Sequence, residues 1–302
     1  MAAGLVSPRA WLLFVLSSVI WGIPYLFIKV ALDGGVPPGL LAWARVALGA
    51  ACILPLALRR RAFRGLRART VPIVAYAACE IAVPFVLIAA GERYIASSLT
   101  AILIATMPLF VALLATRLST SDRPTGARLV GLVLGFGGVV ALLGIDVAGR
   151  PHQLLGAALV LGGTICYAVA PLIVDRYLSD LDPLGPVAAS LVGSTVALLP
   201  AALVRLPDAL PSVAGLVALV VLGLVCTALG LVVFFQLIAA AGPTRASVIT
   251  YINPLVAVLA GTVFLDEQIG TTGIAGMALI LLGSWLSSRR ESPHPATMQE
   301  GS

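Results

Sequence analysis

Ten apolar segments follow one another along the chain, near residues 10–31, 37–58, 71–91, 95–117, 124–144, 154–174, 184–204, 213–238, 246–265 and 271–288. A helix needs about 20 apolar residues to cross the ~30 Å of hydrocarbon in a bilayer. Each segment comes close to that length, so the pattern predicts an all-α integral membrane protein with ten transmembrane helices. A water-soluble fold does not suit it. Charged residues make up 11% and hydrophobic residues 60% of the 302, and mean hydropathy is +1.08. Soluble domains carry about 25% charged residues, and a core of this size cannot hide so much apolar surface. The first segment is longer than the apolar stretch of a signal peptide and lacks a small-x-small cleavage site after it, so it is read as a span.

The breaks between segments are short and rich in Gly and Pro. Examples are Gly34-Gly35-Val36-Pro37-Pro38, Ser121-Asp122-Arg123-Pro124 and Ala241-Gly242-Pro243. Beyond Arg290 the chain turns polar, and residues 291–302 read as a disordered cytoplasmic tail. The basic residues orient the spans. With the N-terminus inside, fourteen of the nineteen Lys and Arg fall on the cytoplasmic side, six of them between Arg59 and Arg69. Only Arg93, Arg150 and Arg205 fall outside, and Lys29 and Arg45 stay within spans. The positive-inside rule therefore predicts both termini in the cytoplasm, with a bacterial inner (plasma) membrane as the location. The net charge of +6 is read as orientation and attraction to the acidic inner leaflet rather than nucleic-acid binding.

A shift of 146 residues lays Trp21 on Tyr167, Pro37 on Pro183, Pro108 on Pro254 and Gly137 on Gly283. The phrase Met107-Pro108-Leu109-Phe110-Val111-Ala112 then matches Asn253-Pro254-Leu255-Val256-Ala257-Val258. The implied organisation is a first five-helix repeat in 1–149 and a second in 150–290. Five is odd, so the second repeat must enter the membrane upside down. Inverted repeats with a site between them are the architecture of many secondary transporters.

Other chemistries lack their residues. The one lysine, Lys29, follows Phe27-Ile28 rather than the glycine of a phosphate-binding loop, so ATP-driven transport by this chain is excluded. Gly135-Phe136-Gly137-Gly138 lies in an apolar span, not after a strand, and makes no dinucleotide loop. His152 and His294 sit in a loop and the tail, with no H-E-x-x-H and no nucleophile elbow. Cys52, Cys79, Cys166 and Cys226 lie in apolar stretches without a C-x-x-C pair and are read as buried free thiols. Asn253 precedes Pro254, so it is no glycosylation acceptor. No enzyme, metal or cofactor is expected.

The order of several motifs resembles the EamA-type branch of the drug/metabolite transporter superfamily. They are Trp21-Gly22 followed by Lys29, Pro37-Pro38 ahead of Arg45, Pro108 with its twin Pro254, and Phe264-Leu265-Asp266-Glu267. The resemblance covers about residues 10–288. It departs where the family often ends span 4 in Gly-Glu, since Leu118-Ser119-Thr120-Ser121 stands here. The resemblance implies efflux or exchange of amino acids, nucleobase-like compounds, sugars or drugs.

Within the spans, Glu80 stands out at the middle of the third. A charge at helix centre costs roughly 2.5–3.5 kcal/mol on insertion scales, so it is a functional candidate by default. It is read as a proton-coupling or ammonium-binding carboxylate, with an ion pair to Arg45 or Lys29 as the structural alternative. Arg45 can hold a substrate carboxylate with its fork, or extend along the lipid face and pack. Lys29 reads as extending to the outer interface, and Asp175-Arg176 and Asp266-Glu267 as interfacial charges. The amides Gln236 and Asn253 either meet substrate or join helices. Trp21, Tyr25 and Tyr167, with Tyr76 and Tyr251, can stack on a ligand or anchor the bundle. Pro24, Pro84, Pro108, Pro171 and Pro254 are expected to kink spans, and the carbonyls they free require a cavity or neighbouring protein. Gly131 and Gly135 form a G-x-x-x-G pair for helix packing, within the chain or in a homodimer. The expected function is a secondary exporter or exchanger of a small metabolite working by alternating access. The rival class is a membrane-embedded binding or scaffold protein with no transport cycle.

Overall fold

The computed structural model describes residues 7–118, 126–146 and 150–288. Every regular element among them is helical, with no strand. Eight helices are long and apolar enough to cross a membrane. They are α1 (Pro8–Asp33), α2 (Pro38–Arg59), α3 (Leu66–Gly91), α4 (Ser97–Leu114), α5 (Gly126–Leu143), α6 (Pro151–Leu178), α7 (Leu184–Val204) and α8 (Val213–Ala241). Two shorter apolar helices follow, α9 (Ile249–Phe264) and α10 (Thr271–Ser287), of 16 and 17 residues. These two fall short of the full-length spans expected there. At α9 the cause is local. A separate turn, Pro243–Ala246, takes up its expected start, and Asp266 turns the chain with φ 52° just past its end. The 291–302 tail, Leu118-Ser119-Thr120-Ser121 beyond its first residue, the 121–124 loop, Arg289 and Arg290 lie outside the described residues.

Pro24, Pro84, Pro108 and Pro171 lie next to irregular backbone, whereas Pro254 sits within the unbroken helix α9, where the sequence predicts a kink. Proline has no N–H and its ring clashes with the carbonyl four residues back. In α1 the helix breaks at Ile23, just before Pro24. In α3 a π-helical turn, Ala78–Ala82, precedes Pro84, and Glu80 is the residue whose carbonyl Pro84 would otherwise meet. In α4 the helix breaks at Ala105 and Thr106 before Pro108, and Ser284 Oγ of α10 donates to the freed Ala105 carbonyl at 3.1 Å. Pro171 lies inside α6, just ahead of a π-helical turn at Val174–Leu178, and Pro254 lies inside α9. Helix α8 contains a longer π-helical stretch, Val221–Leu229, with no proline. There the Thr227 hydroxyl donates to the Leu222 carbonyl five residues back, at 2.9 Å.

Helix pairs α2–α7, α4–α9 and α5–α10 pack closely, and α3 lies on α6 as α1 lies on α8. The largest core cluster joins Val46 and Ile53 of α2 to Val187 and Leu191 of α7 and Ile81 of α3. The α5–α10 seam is made of glycines. A Cβ on Gly131 would stand 2.7 Å from the Gly283 carbonyl, and one on Gly283 would stand 2.5 Å from the Gly135 nitrogen. The G-x-x-x-G pair is thus used for packing inside the chain. Cys52 differs from expectation, since it is exposed on α2, while Cys79 and Cys166 are half-buried and Cys226 is buried.

The ends of the bundle sort the charges. The 33–38 loop, Arg93, Arg205 and Asp208 surround a depression of about 650 Å³ at one end. His152, next to Arg150 and Pro151 at the start of α6, stacks on Tyr94 at the same end, ring centres 6.0 Å apart. At the other end Arg69 pairs with Asp180 at 3.2 Å.

Candidate functional site

Arg45 is the centre of the interior polar cluster. Its Nε donates to Thr227 Oγ1 of α8 at 3.0 Å, and its guanidinium lies 4.1 Å from the centre of the Phe85 ring of α3. These contacts fix the side chain and occupy one edge and one face of the guanidinium. Among the described residues no other hydrogen bond or ion pair engages it. Tyr25 of α1 and Tyr167 of α6 both lie within the electrostatic field of Arg45. Tyr25, Arg45, Glu80 and Tyr167 are all half-buried.

Glu80 sits at the centre of the π-helical turn, with Tyr76, Cys79 and Tyr167 in its field. Neither Arg45 nor Lys29 forms an ion pair with it among the described residues. Lys29 pairs instead with Asp33, one turn along its own helix, at 3.4 Å. π-helical turns occur often at functional sites, since the wide turn leaves backbone carbonyls without regular partners.

The other expected site residues stand elsewhere. Trp21 packs on Phe234 of α8 with ring centres 4.5 Å apart, and a Cβ on Gly230 would stand 2.5 Å from its indole nitrogen. Asn253, with its amide oriented by its partners, donates to the Ile249 carbonyl at 2.9 Å and to the Ser18 carbonyl at 3.2 Å, joining α9 to α1. Gln236 is exposed on α8. Three contributors escaped the sequence reading. Thr227 and Phe85 are ordinary residues of apolar runs, and only the fold sets them against Arg45. Glu92, in the loop-like phrase Gly91-Glu92-Arg93, is 0% exposed. Glu267 is a correction: read as an interfacial charge, it accepts the backbone N–H of Ser97 at 2.7 Å and of Ser98 at 2.9 Å. No group of three or more His, Cys, Asp or Glu among the described residues is placed to hold a metal ion.

A polytopic helical bundle with a polar cluster in its interior is the build of a membrane transporter. The particular family is shown by comparison: the EamA-like transporter family matches residues 8–144 and again 154–289, and the chain belongs to it. It is 30% identical to a probable terminal-alkyne amino-acid exporter of Streptantibioticus cattleyicolor, over 94% of this chain and 95% of that one. It is 27% identical to an uncharacterized transporter of Archaeoglobus fulgidus, over 93% and 99% of the two chains. It is 28% identical to the uncharacterized inner membrane transporter YedA of Escherichia coli K12, over 89% of each. A solved crystal structure shares the fold with a TM-score of 0.65 at 18% identity, covering 92% of this chain and 96% of that one.

Proposed function

We propose that this transporter is a ten-span secondary carrier that exports or exchanges an amino acid or similar small metabolite by alternating access, without ATP. The observation that carries this reading is Arg45, an interior cation of α2 held by Thr227 of α8 and Phe85 of α3, with Glu80 on that same α3 in its π-helical turn. A zwitterion fits such a pair, its carboxylate on Arg45 and its ammonium on Glu80. Glu80 serves alternately as the proton-coupling group. Tyr25 and Tyr167 are the aromatic candidates to contact such a substrate, and the amino-acid exporter among the relatives agrees with this substrate class.

Several observations support two inverted repeats, 1–149 and 150–290. The two family matches begin at 8 and 154, and 154 − 8 gives 146, the offset of the sequence repeat. The same shift carries the π-helical turn 78–82 onto 224–228, inside the π-helical stretch of α8. Packing repeats as well: α1–α8 has its counterpart in α6–α3, α2–α8 in α7–α3, and α1–α9 in α6–α4. A two-fold axis in the membrane plane accounts for all three, and α2–α7, α4–α9 and α5–α10 then straddle it. The gathering of Arg93 and Arg205 at one end and Arg69 at the other supports cytoplasmic termini in a bacterial inner membrane.

The test is flux of radiolabelled amino acids and nucleobase analogues into proteoliposomes of the purified protein, with and without a proton gradient. Saturable flux of an unchanged solute is expected. Binding without net or exchange flux would make the chain a membrane-embedded binding protein instead.

A further inference from the structure

The residue after α3, Glu92, is fully buried, and neither of its carboxylate oxygens has a hydrogen-bond partner among the described residues. The Ser97 hydroxyl, also 0% exposed, has none either. Glu267 comes to this place from beyond the end of α9. Both of its oxygens are occupied by the Ser97 and Ser98 N–H groups, which tie it to the start of α4. The approach is close: a Cβ on Gly261 would stand 2.5 Å from Glu267 Oε2 and 3.1 Å from Ser97 Oγ.

The charges acting on Glu92 are Glu267 first, then Lys29, Arg45 and Asp33. Lys29 is paired with Asp33, and among the described residues neither Lys29 nor Arg45 forms an ion pair with Glu92. His152 of α6 is turned to the Tyr94 ring, and on the chain itself Arg93 follows Glu92, with its guanidinium 6.0 Å from the Tyr94 ring centre. An ionised carboxylate without a donor, in the neighbourhood of a second carboxylate whose oxygens are already taken up by backbone N–H groups, is the unfavourable state.

We propose that Glu92 and Glu267 form a second, occluded proton site at the end of the bundle that holds the Arg93–Arg205 depression. This inference rests on the secondary-transport reading but concerns residues that reading does not use. Glu92 carries the proton, and its O–H is available to the Glu267 carboxylate or to the Ser97 hydroxyl. Loss of that proton leaves two carboxylates opposed. The repulsion acts on Glu267, whose two backbone hydrogen bonds clasp the start of α4 to the end of α9. The ligand of the site is the proton itself, and its release loosens a contact between the two halves of the chain.

Infrared difference spectroscopy of the full-length protein in liposomes, titrated from neutral to alkaline pH, reads the proton directly. A protonated-carboxyl band that disappears with rising pH is expected in the wild type and in Glu80→Gln. It should be absent in Glu92→Gln and shifted in frequency in Glu92→Asp, which guards against a variant that fails to fold. In Glu267→Gln it should titrate at lower pH, since the opposing charge is gone. An unchanged band in Glu92→Gln, or no such band in the wild type, overturns the proposal. The spectrum does not depend on flux, so a protein that transports nothing can still show the site, and a transporter can still lack it.

Discussion

Replacing Arg45 by Lys keeps the positive charge and removes the fork. The structure specifies what is lost. The Nε bond to Thr227 at 3.0 Å cannot be made in the same geometry, the planar contact with Phe85 at 4.1 Å disappears, and a bidentate grip on a carboxylate becomes a single one. Expression should hold, because the site remains cationic and is half-buried rather than sealed. One hydrogen bond to a charged group contributes about 1.5–3 kcal/mol. At about 1.4 kcal/mol for each tenfold change, half-saturation for an amino-acid substrate should rise about 10- to 100-fold. Thr227→Val isolates the positioning part: it removes only the acceptor of the Arg45 Nε bond, so its effect is at most that of the one charged hydrogen bond, about 1.5–3 kcal/mol, and should fall below that of Arg45→Lys. The assay is counterflow exchange in proteoliposomes across a range of substrate concentrations, at matched protein content. If Arg45→Lys saturates at the wild-type concentration, Arg45 does not hold the substrate, and the zwitterion argument fails with it.

Three further outcomes are expected. Gly283→Ala should lower the unfolding temperature in detergent, since its Cβ would press to 2.5 Å on the Gly135 nitrogen and overpacking costs about 1–3 kcal/mol; an unchanged temperature would show that α5 and α10 part freely. Glu80→Gln should reach wild-type levels in the membrane yet lose the pH dependence of flux, and retention of that dependence returns Glu80 to a structural role. A cysteine replacing the exposed Arg64, in a background without the native cysteines, should react with an impermeant maleimide only after the cells are permeabilised; labelling from outside would invert the topology.

Much of the architecture was legible because hydropathy reports directly on the solvent around each segment. The segment 184–204 coincides with α7, and Pro24 and Pro84 mark real breaks in backbone regularity. The conjunction of Arg45, Glu80, Tyr25 and Tyr167 was legible by type, since each is costly or unusual in lipid. Their partners were not. Ser97 and Glu267 meet across 170 positions of sequence, and no local pattern tells a carboxylate that caps a distant helix from one that faces water. Glu92 reads as a loop residue for the same reason: it stands between two helices in the phrase Gly91-Glu92-Arg93, and nothing in that phrase reports that it is fully buried. Trp21 and Asn253 are polar-tipped residues inside spans, and the fold uses both to join helices.

The π-helical turn at Ala78–Ala82 has a consequence for the phase of α3. A π turn spends one residue more per hydrogen-bonded ring than an α turn, and each residue advances an α-helix by about 100°. The halves of α3 on either side of Glu80 are therefore one residue out of step. Deleting a single residue within 78–82 would restore a regular helix, yet it would swing Phe85 about 100° away from Arg45 while leaving Tyr76 in place. The extra residue acts as a spacer that lets one helix serve two neighbours, α7 below it and the Arg45 site above. In an alignment of relatives, a one-residue gap at this turn would carry more functional meaning than many substitutions elsewhere in the span.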